Sequence, residues 1–191
     1  MKGEWCYFKG HVDRSTCERI IRDVQAVPTQ DGLIGDNGGE VLKDSYRRSK
    51  VRFIHSNDWR FSYIFDIFWK TVNSANDDFF QFNISRLPFL QFTEYDAQYQ
   101  GEYKAHHDVF WLNNDPVYHR KISAVLQLSD PKDYVGGNFE MVDAVHKPPP
   151  EDIRMQGSLI YLPSFMVHAV TPVTQGKRYS LVAWFEGKKW Q

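Results

Sequence analysis

The sequence predicts an α+β chain that is mainly β, with helices first and a jelly roll after them. Three observations carry this prediction. Two amphipathic helical patterns fall within the first 80 residues. From Phe82 onward, short β-rich runs follow one another, most of them separated by Gly, Pro, Asn or Asp, which is the pattern of a sandwich, barrel or jelly roll. A chain of 191 residues is long enough for one domain with a sizeable core and short for two. The expected organisation is a single domain over 1–191, with helical support in 1–80 and the jelly-roll core in 82–187.

Each element has its own signal. "DRSTCERIIRDVQAV" reads as a helix: Ser15 and Glu18 have capping-box spacing, and Cys17, Ile20, Ile21 and Val24 recur at helical intervals. "QDGLIGDNGGE" is glycine-rich and polar and reads as a loop. "SKVRFIH" is rich in β-branched and aromatic residues and reads as a strand. "NDWRFSYIFDIFWKTVNSAN" is a second helix, with Phe61, Ile64, Phe65, Phe68 and Val72 on one face. The strand-like runs are "PFLQFTEY", "EYKAHHDVFWL", "KISAVLQL", "GNFEMV", "GSLIYLP", "MVHAVTPV" and "RYSLVAWF". "VHKPPPEDIRMQ", with three consecutive prolines, reads as an extended surface loop.

Composition narrows the function classes. A net charge of -1 gives no whole-protein basic field toward nucleic acid or anionic lipid. No apolar stretch of about 18 residues is present, so no membrane span is expected. The two cysteines, Cys6 and Cys17, make no disulfide framework and fit a reducing, cytoplasmic setting. Aromatic residues at 16% point to a bulky core and an aromatic-lined pocket.

The chemistry-bearing residues are concentrated in the β-rich part. Two His-x-Asp motifs occur, and with seven His and sixteen Asp chance alone supplies about half of one. His11-Val12-Asp13 directly precedes the first helix, where Asp13 suits the helix amino end. His106 and Asp108 lie in a strand-like run, where residues i and i+2 share a face, so both reach one metal ion while His107 points away. A neutral imidazole and a carboxylate need a third partner to hold iron or a similar divalent ion. His119 in a polar turn and His146 before the prolines read as solvated, and His55 has no nearby partner. His168 sits in an apolar strand that runs into a turn. Ten positions later comes Arg178, across a turn marked by Pro172 and Gly176, so that the two strands can neighbour each other. An inward arginine needs an anion, and a guanidinium holds a carboxylate through two parallel charged hydrogen bonds. Ser180 shares the face of Arg178.

Taken together, "HHDVF", "VGGNFEMV" and "GSLIYLPSFMVHAVTPVTQGKRYSLVAWF" resemble the iron(II)- and 2-oxoglutarate-dependent oxygenases, in their prolyl-4-hydroxylase-like branch. The resemblance covers about residues 85–187. It implies a double-stranded β-helix (jelly roll) with His106, Asp108 and His168 as the ligands of Fe(II), leaving open coordination positions for 2-oxoglutarate and O2. It further implies that Arg178, assisted by Ser180, holds the far carboxylate of 2-oxoglutarate. Tyr95 matches the family tyrosine at that carboxylate. The segment from Tyr95 to His106 is about two residues longer than the usual pattern, which leaves Tyr99 and Tyr103 as substitutes, and Arg178 stands where many collagen-type relatives have lysine. The implied activity is C–H hydroxylation coupled to conversion of 2-oxoglutarate to succinate and carbon dioxide, with ascorbate as a further candidate cofactor. A prolyl residue in a peptide or protein is the favoured substrate, and a free amino acid or small metabolite the alternative. Phe110 and Trp111 are candidates for the substrate channel or the core. Arg47 and Arg48 read as a solvated face with a lesser claim on an acidic substrate.

Three rivals fit less of the sequence. A non-catalytic, lectin-like jelly roll leaves the conjunction of His106, Asp108, His168 and Arg178 unexplained. A zinc hydrolase gives Arg178 and Ser180 no role. A nucleic-acid dealkylase on this fold carries a second arginine six residues after the first, and this chain has Trp184 there.

Overall fold

The structure, a computed structural model, describes residues 1–36, 39–109 and 117–190, with only the backbone described for 34–36 and 39–41. In chain order the elements are β1 (Cys6–Phe8), α1 (Arg14–Gln25), β2 (Gln30–Asp31), β3 (Ile34–Asp36), β4 (Gly39–Val41), β5 (Arg47–Arg48), β6 (Lys50–His55), α2 (Ser62–Ala75), β7 (Phe89–Asp96), β8 (Glu102–His106), β9 (Tyr118–Gln127), β10 (Tyr134–Gly136), β11 (Phe139–Met141), α3 (Pro150–Arg154), β12 (Leu159–Pro163), β13 (His168–Val170) and β14 (Val173–Lys188). None of these helices is long and apolar enough to cross a membrane.

The strands form two main antiparallel sheets. The large one runs β1-β12-β9-β14-β7-β6-β2, with β10 also paired to β14, and the small one runs β11-β13-β8-β5. Strands from before residue 82 therefore join both sheets. Strand alternation then decides where each residue goes. On β7, β9, β12 and β14, one set (Leu90, Phe92, Ala124, Leu126, Leu159, Tyr161, Leu181, Phe185) packs in one core cluster with Ile20 and Val24 of α1 and Ile64, Phe68 and Val72 of α2. The intervening residues Tyr95, Val125, Ile160 and Leu162 pack in a second cluster with Phe139, Met141 and Val170 of the small sheet. Each buried Phe, Leu or Ile contributes about 1.5–3 kcal/mol, so the helices act as a stabilising backing for the large sheet.

Several local expectations are corrected. The first helix is capped by Asp13, which accepts the Thr16 N–H, and not by Ser15; the Ser15 hydroxyl instead donates to Asp13, and Glu18 pairs with Arg14. Asp13 wins because its carboxylate accepts from a backbone N–H and two hydroxyls at once. The glycine-rich "loop" contains β2 and the β3–β4 pair, in register from Ile34↔Val41 to Asp36↔Gly39. The proline stretch is not wholly extended. Pro150 starts α3, where its missing N–H does no harm; Ile153 is buried, and Asp152 accepts the Tyr7 hydroxyl and pairs with Lys9.

The strands of His168 and Arg178 do not pair with one another. β13 lies in the small sheet and β14 in the large one, because the chain crosses between sheets at Thr171-Pro172. A second crossing, from β10 to β11, uses Gly136 and Gly137, both with positive φ. The two crossings touch: Gly137 N–H donates to the Pro172 carbonyl, and a Cβ on Gly136 would come within 2.0 Å of the same oxygen.

Candidate active site

His106 ends β8 and His168 begins β13, and the two are cross-strand partners. Asp108 follows just beyond the end of β8, so the carboxylate is not placed by strand alternation alone. Its own N–H donates to the Ser164 carbonyl, which ties this segment to the residue just after β12. His168 Nε2 lies 3.5 Å from Asp108 Oδ2, and His106 Nε2 lies 3.8 Å from Asp108 Oδ1. One ligand atom from each of the three residues lies within 4.8 Å of the others. His107, expected to point away, lies just past the end of β8, where it is exposed and also lines the cavity into which the triad opens.

The groups around the triad fix its protonation and aim. His106 Nδ1 meets the Lys104 carbonyl at 2.8 Å and His168 Nδ1 meets the Met166 carbonyl at 3.0 Å. A carbonyl only accepts, so each Nδ1 carries a proton and Nε2 is the atom each ring turns toward the centre to bind a metal. Burial pushes the His106 imidazolium pKa down, and His168 pushes it further, so the ring is neutral. Burial alone raises the Asp108 pKa, but His168, His106, Arg120 and a hydrogen bond from Ser123 outweigh it and keep the carboxylate ionised. That Ser123 Oγ donates to Asp108 Oδ2 at 2.6 Å and lies 3.0 Å from Ser164 Oγ. Two imidazoles and one carboxylate, with the rest of the sphere open, form a donor set that fits iron(II).

The triad opens into a cavity of about 580 Å³, within the range of small-molecule sites. Arg178, Ser180, Val182 and Trp184, alternate residues of β14, all line it. Arg178 is 1% exposed; its Nε donates to Gln127 Oε1, and its Nη1 and Nη2 are buried with no hydrogen-bond partner. A buried guanidinium with two unmet terminal nitrogens fits the far carboxylate of a dicarboxylic acid. Tyr95 is the cross-strand partner of Arg178, its ring centroid 5.4 Å from the guanidinium carbon, and it lines the same cavity. Burial raises its pKa, and that of Tyr103, so both phenols stay protonated.

The other predicted residues separate cleanly. Tyr103 stacks on His106, with centroids 3.5 Å apart and planes at 16°. Tyr99 donates to the Glu94 carbonyl and is not among the residues that line the cavity. His119, expected in solvent, is buried on β9 and accepts the Trp190 N–H, because its strand is central to the large sheet. His146, His55 and His11 are exposed. Arg47 is not on a solvated face: it is buried and lines the cavity, while Arg48 braces the Tyr99 and Gln100 carbonyls and pairs with Glu102. Phe110 and Trp111 lie outside the described residues. Ser123 and Gln127 were missed as site residues, and Arg47 was weighed only as a lesser candidate for an acidic substrate. For the first two a signal existed: Ser123 and Gln127, two and six places after Lys121, are the polar residues of the otherwise apolar run "ISAVLQ".

Comparison with known proteins gives one family. The sequence model of the 2OG-Fe(II) oxygenase superfamily matches residues 90–186. A PKHD-type hydroxylase of Teredinibacter turnerae is 35% identical over 89 residues, 45% of this chain and 38% of the relative. The chain thus spans well under half the length of the curated relatives it matches. Among solved structures, a Pseudomonas putida prolyl-4-hydroxylase superposes with a TM-score of 0.66 at 19% identity, covering 99% of this chain and 94% of the other. A Trichoplax adhaerens prolyl hydroxylase, solved with a peptide of the hypoxia inducible factor oxygen degradation domain, gives 0.70 at 17% identity, covering 96% and 83%. These likenesses establish the double-stranded β-helix fold.

Proposed function

The chain belongs to the 2OG-Fe(II) oxygenase superfamily, and from that premise we propose that it hydroxylates an unactivated C–H bond, favouring a prolyl residue of a peptide or protein. Members of the superfamily use iron(II), 2-oxoglutarate and O2. When bound, this group supplies the oxidising power that converts a C–H bond to an alcohol while 2-oxoglutarate leaves as succinate and carbon dioxide. His106 and His168 hold the metal through Nε2 and Asp108 through its carboxylate, with Ser123 keeping that carboxylate in place. Arg178 takes the far carboxylate of 2-oxoglutarate in a charged, bidentate contact, and Ser180 and Tyr95 offer hydroxyls beside it. Val125, Val182, Phe139 and Trp184 line the cavity and keep water from the reacting atoms. The segment up to residue 80 and the strands of 82–187 then serve one catalytic unit, acting in the cytoplasm, where the buried free Cys6 and Cys17 stay reduced.

The observation that carries this reading is the unpaired Arg178 guanidinium in the same cavity as the His-Asp-His cluster. The prolyl preference rests on the names of the relatives. The test is a screen of proline-containing peptides with iron(II), 2-oxoglutarate and ascorbate, following a mass gain of one oxygen and the formation of succinate. Arg178→Gln is expected to weaken 2-oxoglutarate binding about ten- to hundredfold, the worth of a charged hydrogen bond. His168→Ala is expected to abolish succinate formation. Succinate formation at the wild-type rate by His168→Ala would refute the assignment.

A further inference from the structure

The cavity carries more positive charge than iron and 2-oxoglutarate use. Lys43, Arg47, Arg120 and Arg178 line it, and Asp108 is the only acid among the described lining residues. Under the proposed function, the doubly charged metal less the Asp108 charge, together with Arg178, is balanced by the two carboxylates of 2-oxoglutarate. Lys43 and Arg47 remain, Arg120 being already engaged elsewhere.

Arg47 is the more constrained of the two. It is 6% exposed. Its Nε donates to Ser49 Oγ at 2.8 Å and its Nη1 to the Leu33 carbonyl at 2.9 Å. Its Nη2 is buried with no hydrogen-bond partner, and no carboxylate among the described residues pairs with it. Gly32 makes the room: a Cβ there would lie 2.5 Å from Arg47 Nε and 2.3 Å from Ser49 Oγ. The guanidinium carbon sits 4.5 Å from the Tyr103 ring centroid, and Tyr103 in turn stacks on His106. A fixed, desolvated cation with an unmet donor, one aromatic ring away from a candidate metal ligand, is an anion seat.

We infer that Arg47 binds a carboxylate of the substrate, so that the enzyme acts on an amino-acid unit carrying a free acid close to the carbon that is hydroxylated. The inference rests on the oxygenase reading and adds the substrate class to it. The acid has two sources, the α-carboxylate of an amino acid or peptide terminus and an acidic side chain next to the target residue. A neutral, mid-chain segment lacks the group and leaves Arg47 unmet.

The test measures binding to the protein loaded with Mn(II) and 2-oxoglutarate, under conditions in which no turnover occurs. The probes are N-acetyl amino acids against their amides, proline-containing peptides ending in an acid against the same peptides ending in an amide, and peptides with an internal Asp or Glu against Asn or Gln. In the wild type at least one acid is expected to bind about ten- to hundredfold tighter than its neutral partner, and the arm with the largest ratio names the source. Arg47→Gln is expected to bring that ratio close to one with the affinity for 2-oxoglutarate unchanged, and Arg47→Lys to keep part of it. Equal binding of every acid and its neutral partner by the wild type, including no binding by either, overturns the inference. So does an undiminished ratio in Arg47→Gln, or a loss of 2-oxoglutarate affinity in that variant, which would make Arg47 a brace for Tyr103 and His106. If the wild type itself takes up no 2-oxoglutarate, the oxygenase reading fails first, and that result is separate from all the others.

Discussion

Replacing Ser123 with alanine removes the 2.6 Å hydrogen bond that its hydroxyl gives to Asp108 Oδ2. The carboxylate stays charged in the variant, because the charge of Arg120 holds its pKa down more strongly than the Ser123 hydrogen bond does. The loss is therefore one of orientation: Oδ2 is freed to rotate away from the point on which the two Nε2 atoms converge. A hydrogen bond to a charged group is worth about 1.5–3 kcal/mol, and at about 1.4 kcal/mol per factor of ten this predicts a metal affinity lower by about ten- to hundredfold. The same range holds for groups that orient metal ligands in other proteins. The fold should survive, since only one oxygen atom is lost from a strand whose apolar face is untouched. The assay is anaerobic competition between the protein and a fluorescent chelator for Fe(II) or Mn(II), with 2-oxoglutarate absent so that metal binding alone is read. Ser164→Ala, which acts on Ser123 at 3.0 Å and not on Asp108 directly through its hydroxyl, is expected to show a smaller loss. A Ser123→Ala protein that binds metal within twofold of the wild type refutes the reasoning.

Three further outcomes are expected. Phe68→Ala, fully buried between α2 and the large sheet, should lose about 3–5 kcal/mol in urea unfolding, and a loss below about 1 kcal/mol would mean that the helix does not back the sheet. Asp13 has its pKa held at about 2 against an ordinary 3.8 by hydrogen bonds from Ser15, Thr16 and the Thr16 N–H. Its folded value is the lower one, so its stabilisation is complete above pH 3.8 and disappears as the pH falls toward 2; Asp13→Asn should flatten the melting temperature across that window, and an unchanged slope counts against the cap. Gly32→Ala should displace Arg47 and reproduce the loss of acid preference seen in Arg47→Gln, with 2-oxoglutarate affinity intact; a retained preference would show that Arg47 has another way to reach the cavity.

The parts of this molecule that were legible in the sequence are those whose causes are local. The two helices announce themselves because their buried faces repeat every three to four residues, and Phe61, Ile64, Phe65, Phe68 and Val72 are all buried. The strands from Phe89 onward follow their β-rich runs. His106 and Asp108 are two residues apart, so their meeting needed only a short extended segment, although the hydrogen bond to Ser164 just beyond β8 completes it. What was hidden depends on pairing between distant segments. Arg47 is buried because β5 adds to β8 and sets it opposite Tyr103, 56 positions along the chain, and nothing in "SYRRSK" reports that. His119 is buried for a similar reason, since β9 lies between β12 and β14. The crossing at Thr171-Pro172 separated the strands of His168 and Arg178 into different sheets, where a simple hairpin had been expected from the Pro and Gly between them. Asp13 takes its expected place at the helix amino end, but the capping box at Ser15 and Glu18 does not form, because both Ser15 and Asp13 are good caps and only the three donors gathered at Asp13 decide between them.

The inward residues of β14 stand in single file: Arg178, Ser180, Val182, Trp184. At about 3.4 Å per residue the file is about 20 Å long, so one continuous backbone serves as a graduated scale along the inside of the molecule. Under the proposed function its Arg178 mark seats the dicarboxylate, and its marks at Val182 and Trp184 meet whatever is brought to be oxidised. Evolution can therefore re-cut the graduations at Val182 and Trp184 to admit a different guest without disturbing the one at Arg178. Inserting a single residue between them does the opposite, because it turns every later mark to face the helices and erases the scale at a stroke.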